Sequence, residues 1–138
     1  MRVTARLSYG LGALVDLAAA ERPVKGAVLA GRHGVSKGFL ENILAELRRA
    51  GIVASKRGGH GGYWLARPAG DITVADVIRT LDGADGVDTG TRHDGLRPVW
   101  LSISRATMSA AEAITIDAVA AGGPSSPDMK GDSPMVQA

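Results

Sequence analysis

The chain contains no cysteine. Disulfides, thiolate metal sites and cysteine nucleophiles are therefore excluded outright. Aromatic residues make up only 4% of the 138 positions, although 45% are hydrophobic. A core is available, but it must be assembled from Leu, Val, Ile and Ala, a composition that favours helices. No apolar run approaches the roughly 20 residues needed to span a bilayer. The opening MRVTARLSYG has neither the apolar segment nor the cleavage site of a signal peptide, so a cytoplasmic location without membrane contact is the expectation. Charge of one sign is also scarce: the formal net charge is +2 and the pI about 9.3. Any affinity for a polyanion has to come from local clustering rather than bulk charge.

What the sequence does offer is periodicity. Thr4 to Ala20 carries Leu7, Leu11, Leu14, Val15 and Ala18 at helical spacing, and Pro23 marks where that helix has ended. Lys25 to Arg32 reads as a short second helix, and Gly34-Val35 as a turn. Ser36 is a good N-cap for a third helix whose apolar stripe is Phe39, Leu40, Ile43, Leu44 and Leu47. Gly51 is placed to stop it. Ile52 to Arg57 and Tyr63 to Arg67 are short strands around a glycine-rich tip. Asp71 to Asp82 returns to helix, with Thr73 and Asp76 as a capping pair. Residues 83–95 read as a loop. A longer helix follows from Leu96 to Ile114, with apolar or small residues at Leu96, Val99, Ile103, Ala106, Ala110 and Ala113. This alternating three-four spacing suits a helix that packs along another helix. Thr115 to Ala121 is a short final helix, and residues 122–138 have a disorder-like composition.

The expected fold is thus mainly α with one small β-hairpin. A winged helix-turn-helix domain occupies residues 1–82. The loop 83–95 joins it to a dimerisation helix and a short C-terminal helix over 96–121, followed by the tail 122–138. In such a plan the third helix enters the major groove of DNA and the hairpin touches backbone or minor groove.

The tip SKRGGHGGYWLARP (residues 55–68) decides between phosphate chemistries. A P-loop needs a helix and Lys-Ser or Lys-Thr after its glycines, and a dinucleotide fold needs a helix. Here a strand follows, Tyr63-Trp64-Leu65. His60 has no local partner with which to ligate zinc. A DNA-binding wing accounts for both the glycines and the cations. Gly58 and Gly59 allow close backbone approach, Arg57 suits the minor groove, Lys56 a phosphate, and His60 a phosphate or sugar. On the third helix, Ser36, Lys37, Gly38, Glu41, Asn42 and Arg48 are left outward or flanking. Asn42 can pair with adenine and Glu41 can accept from the cytosine amino group. Lys25 and Arg49 join Lys37, Arg48 and Lys56 as candidate phosphate contacts. No nucleophile–base–orienter set or catalytic carboxylate pair is recognisable, so an enzyme is not expected.

Taken together, Leu40-Glu41-Asn42, Arg49-Ala50-Gly51-Ile52-Val53, Arg57 to Tyr63, Leu65-Ala66-Arg67 and Ile72 to Ile78 resemble the IscR/NsrR family of bacterial winged-helix regulators, the Rrf-type regulators. The resemblance covers about residues 1 to 82 well and the helix from Leu96 more loosely. It implies a homodimeric transcription regulator, most simply a repressor, on a palindromic operator of double-stranded DNA. By position, the base or groove contacts would be Ser36, Gly38, Phe39, Glu41, Asn42 and Arg57. Gly38 departs from members that place a side chain there. The dimer would be built on Leu96, Val99, Trp100, Ile103, Ala106 and Ala110. Many members hold an iron–sulfur cluster on three cysteines at about residues 85 to 105. Without a sulfur ligand the expectation here is no cofactor.

The signal is left open: a small-molecule or metal effector fits the plan. His33, or His93 with Asp85, Asp88 and Asp94, could contribute to a metal site, although the spacing matches no standard one and solvated turn residues are the plainer reading. A pocket near Tyr9 and Trp100 is another candidate, against the plainer reading of core or interface.

Overall fold

A computed structural model describes residues 3–83 and 94–122. Within these, the sequence folds as six helices and one antiparallel hairpin, a winged helix-turn-helix followed by two C-terminal helices. The loop reading for residues 84–93, with Asp85, Asp88 and His93, and the tail reading beyond Gly122 lie outside the described residues.

Helix α1 spans Ala5–Ala19 and starts where the Thr4 hydroxyl accepts from the Leu7 N–H at 3.1 Å, one of the donors that a helix start leaves unpaired. Its buried face is Leu7, Gly10, Ala13, Leu14 and Leu17. Leu11, Val15 and Ala18 are only half-buried. The stripe expected from apolar spacing alone is therefore rotated. Gly10 is the reason: a Cβ there would lie 2.6 Å from Leu81 and 3.4 Å from Ile43. The smallest residue on the helix marks its closest approach, so hydrophobicity alone misplaces the face.

Helix α2 spans Gly26–His33 and ends in the left-handed Gly34. Helix α3, Lys37–Arg49, starts with the Ser36 hydroxyl accepting from the Phe39 N–H at 3.2 Å. Leu40, Ile43, Leu44 and Leu47 are fully buried, and each contributes about 1.5–3 kcal/mol by leaving water. The helix ends in a Schellman turn. The Ile52 N–H reaches the Leu47 carbonyl at 2.9 Å and the Gly51 N–H reaches that of Arg48 at 3.0 Å, with Gly51 at φ 76°.

Strands β1 (Val53–Lys56) and β2 (Gly62–Leu65) pair with Val53 opposite Leu65 and Lys56 opposite Gly62. Val24 adds a one-residue third edge through mutual bonds with Tyr63 of 2.9 and 2.8 Å. The wing is thereby fastened to the start of α2. Helix α4, Val74–Asp82, carries a full Thr73/Asp76 capping box. It begins later than the expected Asp71, because a 3-10 turn at Ala69–Asp71 and an extended Ile72-Thr73 precede it.

Helix α5 spans Arg97–Glu112 and α6 spans Ile116–Ala120. The extended link between them bonds back to the start of α4: Val74 N–H to the Ile114 carbonyl and Ile116 N–H to that of Ile72, both 2.8 Å. Ile116 is fully buried and joins the same core as Leu14 and Leu44.

Candidate nucleic-acid interface

The third helix and the wing border one groove of about 540 Å³, closed on its third side by the start of α2. Its walls carry Lys25, Lys37, Arg48, Lys56 and Arg57 against the single carboxylate of Glu41. Like charges brought together in a concave surface reinforce one another's field.

Some of these cations are held internally. Lys25 bonds to the Gly58 carbonyl at the wing tip, Arg48 donates to the Ser55 hydroxyl at 3.0 Å, and Lys37 lies 3.9 Å from Glu41. Among the described residues, Lys56 and Arg57 have no such partner, and both are exposed. Arg49 is exposed as well but does not line the groove.

Ser36, Lys37, Gly38 and Asn42 are exposed along the first half of α3, and a side chain on Gly38 would meet open space. Phe39 is half-buried, edge-on to Tyr9 with ring centroids 5.8 Å apart. It belongs at least as much to the α1–α3 packing as to the surface. Glu41 does not simply project outward: its carboxylate lies where a Cβ on Gly26 would meet it at 2.9 Å. There it faces the positive end of α2. Asn42 accepts from the Arg6 guanidinium at 3.3 Å, and Arg6 also pairs with Glu46.

The wing glycines have separate reasons. A Cβ on Gly61 would fall 2.0 Å from the Lys56 carbonyl oxygen, and one on Gly62 would fall 2.7 Å from the backbone of Val24. Both are demanded by the protein's own packing. Gly58 lies at φ 112° on the turn, and Gly59 has open space around it. Only these two remain for a closely approaching partner. The tip also divides its side chains. Lys56, Arg57 and Gly58 line the α3 groove, whereas Gly59 and His60 border a second groove against Arg22 and Pro23.

Sequence reasoning missed Tyr63, Ser55 and Arg6. Tyr63 forms a groove wall; burial first, then the charge of Glu41, raises its phenol above the ordinary 10.0, partly offset by Arg48. Strand alternation was the available signal for Tyr63. Nothing local in the sequence ties Arg6 to α3.

The other residues considered fall elsewhere. His33 is half-buried, its Nε2 2.8 Å from Asp16 and its ring edge-on to Tyr9. It clips α2 to α1, and no group of three metal-ligating side chains occurs among the described residues. At the start of α5 and along it, Leu96, Val99 and Ile103 are 44%, 50% and 44% exposed, and Ala106 and Ala110 are exposed too. Trp100, between Val99 and Ile103, is half-buried and its indole N–H is enclosed, with no acceptor among the described residues. No helix among them is long and apolar enough to cross a membrane.

Comparison with known proteins agrees with this geometry. Residues 3–122 match the family described as "Rrf2: Iron-dependent Transcriptional regulator". A protein of Mycobacterium tuberculosis named as an HTH-type transcriptional regulator is 38% identical over 133 residues, covering 88% of this chain and 83% of the relative. The HTH-type transcriptional regulator IscR of Xenorhabdus nematophila is 42% identical, covering 69% and 57%. Among solved structures, IscR of T. potens superposes with a TM-score of 0.73 at 33% identity, covering 94% and 96%. CymR, the global cysteine regulator of B. subtilis, superposes at 0.76 with 28% identity, covering 90% and 99%.

Proposed function

Because the chain belongs to the Rrf2 family of helix-turn-helix transcriptional regulators, and so is a DNA-binding regulator and not an enzyme, we propose that it acts as a cytoplasmic homodimer on a palindromic operator. Helix α3 enters the major groove and the wing enters the adjacent minor groove. Occupying a promoter in this way blocks transcription, which makes repression the simplest outcome. The observation that carries the reading is the single groove shared by α3 and the wing, with five cations and one carboxylate on its walls. Lys56 and Arg57 supply charge that no described residue neutralises. Lys25, Lys37 and Arg48 are already oriented by internal contacts, which lowers the entropy cost of meeting phosphate.

The dimer rests on α5. Leu96, Val99, Ile103, Ala106 and Ala110 form a stripe at three-four spacing whose large members are exposed in the single chain. That pattern suits the same stripe of a second copy.

The family description is iron-dependent, but the donor set here does not fit an iron–sulfur cluster. Such clusters are held by thiolates, and this chain has none. We therefore propose a member that binds DNA without a cluster.

The test is fluorescence anisotropy on a labelled duplex from the protein's own upstream region, at several salt concentrations, with Arg57→Ala alongside. The logarithm of the binding constant is expected to fall linearly with that of salt concentration. The slope should be shallower by about one in the variant for each protomer bound. Binding no tighter than to random duplex, with an unchanged slope for Arg57→Ala, would overturn the proposal.

A further inference from the structure

Asn42 lies on the exposed first half of α3, and its side-chain oxygen has a partner on another helix. The Arg6 guanidinium on α1 reaches across, one nitrogen donating to Asn42 Oδ1 at 3.3 Å and the other pairing with Glu46. Asn42 and Glu46 are one turn apart on α3, so the two arms of one guanidinium span both.

The chemistry of this contact is directional. An amide group is nearly symmetric in shape, and by itself can present oxygen or nitrogen to either side at similar cost. Arginine has donors only and no acceptor. The amide atom facing Arg6 must therefore be the oxygen. The amide nitrogen is left facing away from Arg6, and among the described residues nothing accepts from it. The Glu46 pair in turn holds the guanidinium, with side chains about one-third exposed (35% and 31%).

We propose that Arg6 is a positioning residue for sequence recognition: it fixes the amide of Asn42 in one orientation, so that this side chain reads its base with a defined donor direction. The inference rests on the DNA-binding reading above and adds a residue outside α3 to it. It also sharpens the adenine pairing expected of Asn42. A bidentate contact needs oxygen and nitrogen on the correct sides, and Arg6 decides which side each occupies. Arg6 itself need not touch a base.

The experiment selects binding sites from a pool of random duplexes with the full chain. Binding is then measured on the selected operator and on duplexes carrying each alternative base pair. Wild type is compared with Asn42→Ala, Arg6→Met, the double variant and Glu46→Gln. Asn42→Ala identifies the position read, as the one where discrimination falls by about tenfold. Arg6→Met is expected to relax discrimination at that same position, and to add nothing once Asn42 is alanine. Glu46→Gln retains an acceptor for Arg6 and should keep most of the discrimination. A merely structural role for Arg6 would weaken binding to all duplexes evenly and leave the ratios intact, which would overturn the proposal. So would relaxation by Arg6→Met that persists undiminished in the Asn42→Ala background. If wild type selects no sequence, the DNA reading fails and this inference fails with it. If wild type selects a sequence and Arg6→Met reads it unchanged, only this inference fails.

Discussion

The wing can be tested one glycine at a time. In Gly61→Ala the new methyl would sit 2.0 Å from the Lys56 carbonyl oxygen and 2.8 Å from the Arg57 carbonyl carbon. Close carbon–oxygen contacts lie near 3.3 Å, so the strands must part by about 1 Å at the tip. That movement breaks the 3.0 Å bond from the Gly61 N–H to the Gly58 carbonyl and pulls Gly62 from Lys56. The next bonds along are the mutual pair between Tyr63 and Val24. At about 1 kcal/mol for each backbone bond, losing two to four costs the hairpin about 2–4 kcal/mol. The helical core around Leu40, Ile43 and Leu44 lies apart from this strain. The damage should therefore appear as local opening of the wing rather than global unfolding. Hydrogen exchange at the Val24 and Tyr63 amides reads it directly, with exchange expected to quicken about 30-fold to several-hundred-fold. Operator binding should be lost in parallel. Gly59→Ala is the control: its methyl meets nothing within 4 Å, so exchange at both amides should stay within about twofold. If Gly61→Ala left the exchange and the operator affinity of wild type, or if Gly59→Ala damaged protection equally, this account of the tip would be wrong.

Other outcomes follow from the same geometry. Ser36→Ala removes the hydroxyl that accepts from Phe39 and is expected to lower stability by about 1 kcal/mol in urea denaturation. Ile103→Glu places a charge in the middle of the exposed α5 stripe and should convert a dimer to monomer in analytical ultracentrifugation, with the monomer still folded by circular dichroism; an unchanged mass would place the dimer contact elsewhere. Tyr63 has a raised phenol pKa in the fold, chiefly from burial, so the folded state holds that proton more tightly than the unfolded chain. Its contribution is present below pH 10 and is lost as pH rises from about 10 through the folded value. Tyr63→Phe should flatten that alkaline loss in denaturation curves while changing little at pH 7. Exhaustive chelation should leave operator affinity unaltered, because the chain has no thiolate to hold a cluster; a chelator-sensitive complex would point to a metal ligated by other residues.

Most of the scaffold is legible in the sequence because local and tertiary preferences agree. Ser36, Thr4 and Thr73 sit at helix starts and cap them, and Gly51 ends α3 as a Schellman glycine. The α3 stripe is both periodic and buried. Legibility fails where packing distance, rather than hydrophobicity, sets the face. Gly10 is the point where α1 meets Ile43 and Leu81, so the buried arc of α1 includes Leu17 and leaves Leu11 half-exposed. The candidate site shows the same division. Its cations could be read from the tip sequence, since Lys56 and Arg57 adjoin the turn. What each side chain is already bound to could not, because those partners lie far along the chain: Arg6 with Asn42, Lys25 with Gly58, Glu41 against Gly26. Glu41 therefore has a structural neighbour in Gly26 beside its proposed role as a reader of cytosine.

The small net charge and the basic groove are two sides of one arrangement. Several acidic side chains are engaged away from the groove: Asp16 with His33, Glu46 with Arg6, Asp76 with Arg67 and Arg79, and Glu112 with Arg79. These pairs tie α1 to α2 and α3, and α4 to α5. Each is at least partly exposed and contributes little stability by itself. Their consequence is electrostatic. The pairs made by Arg6, Arg67 and Arg79 cancel cations on the body of the protein, whereas the groove retains five cations against Glu41. A chain with a formal charge of only +2 can thus direct a concentrated positive field from one surface. Such a field steers association by sign and position, and it confines the attraction for phosphate to one surface of the protein.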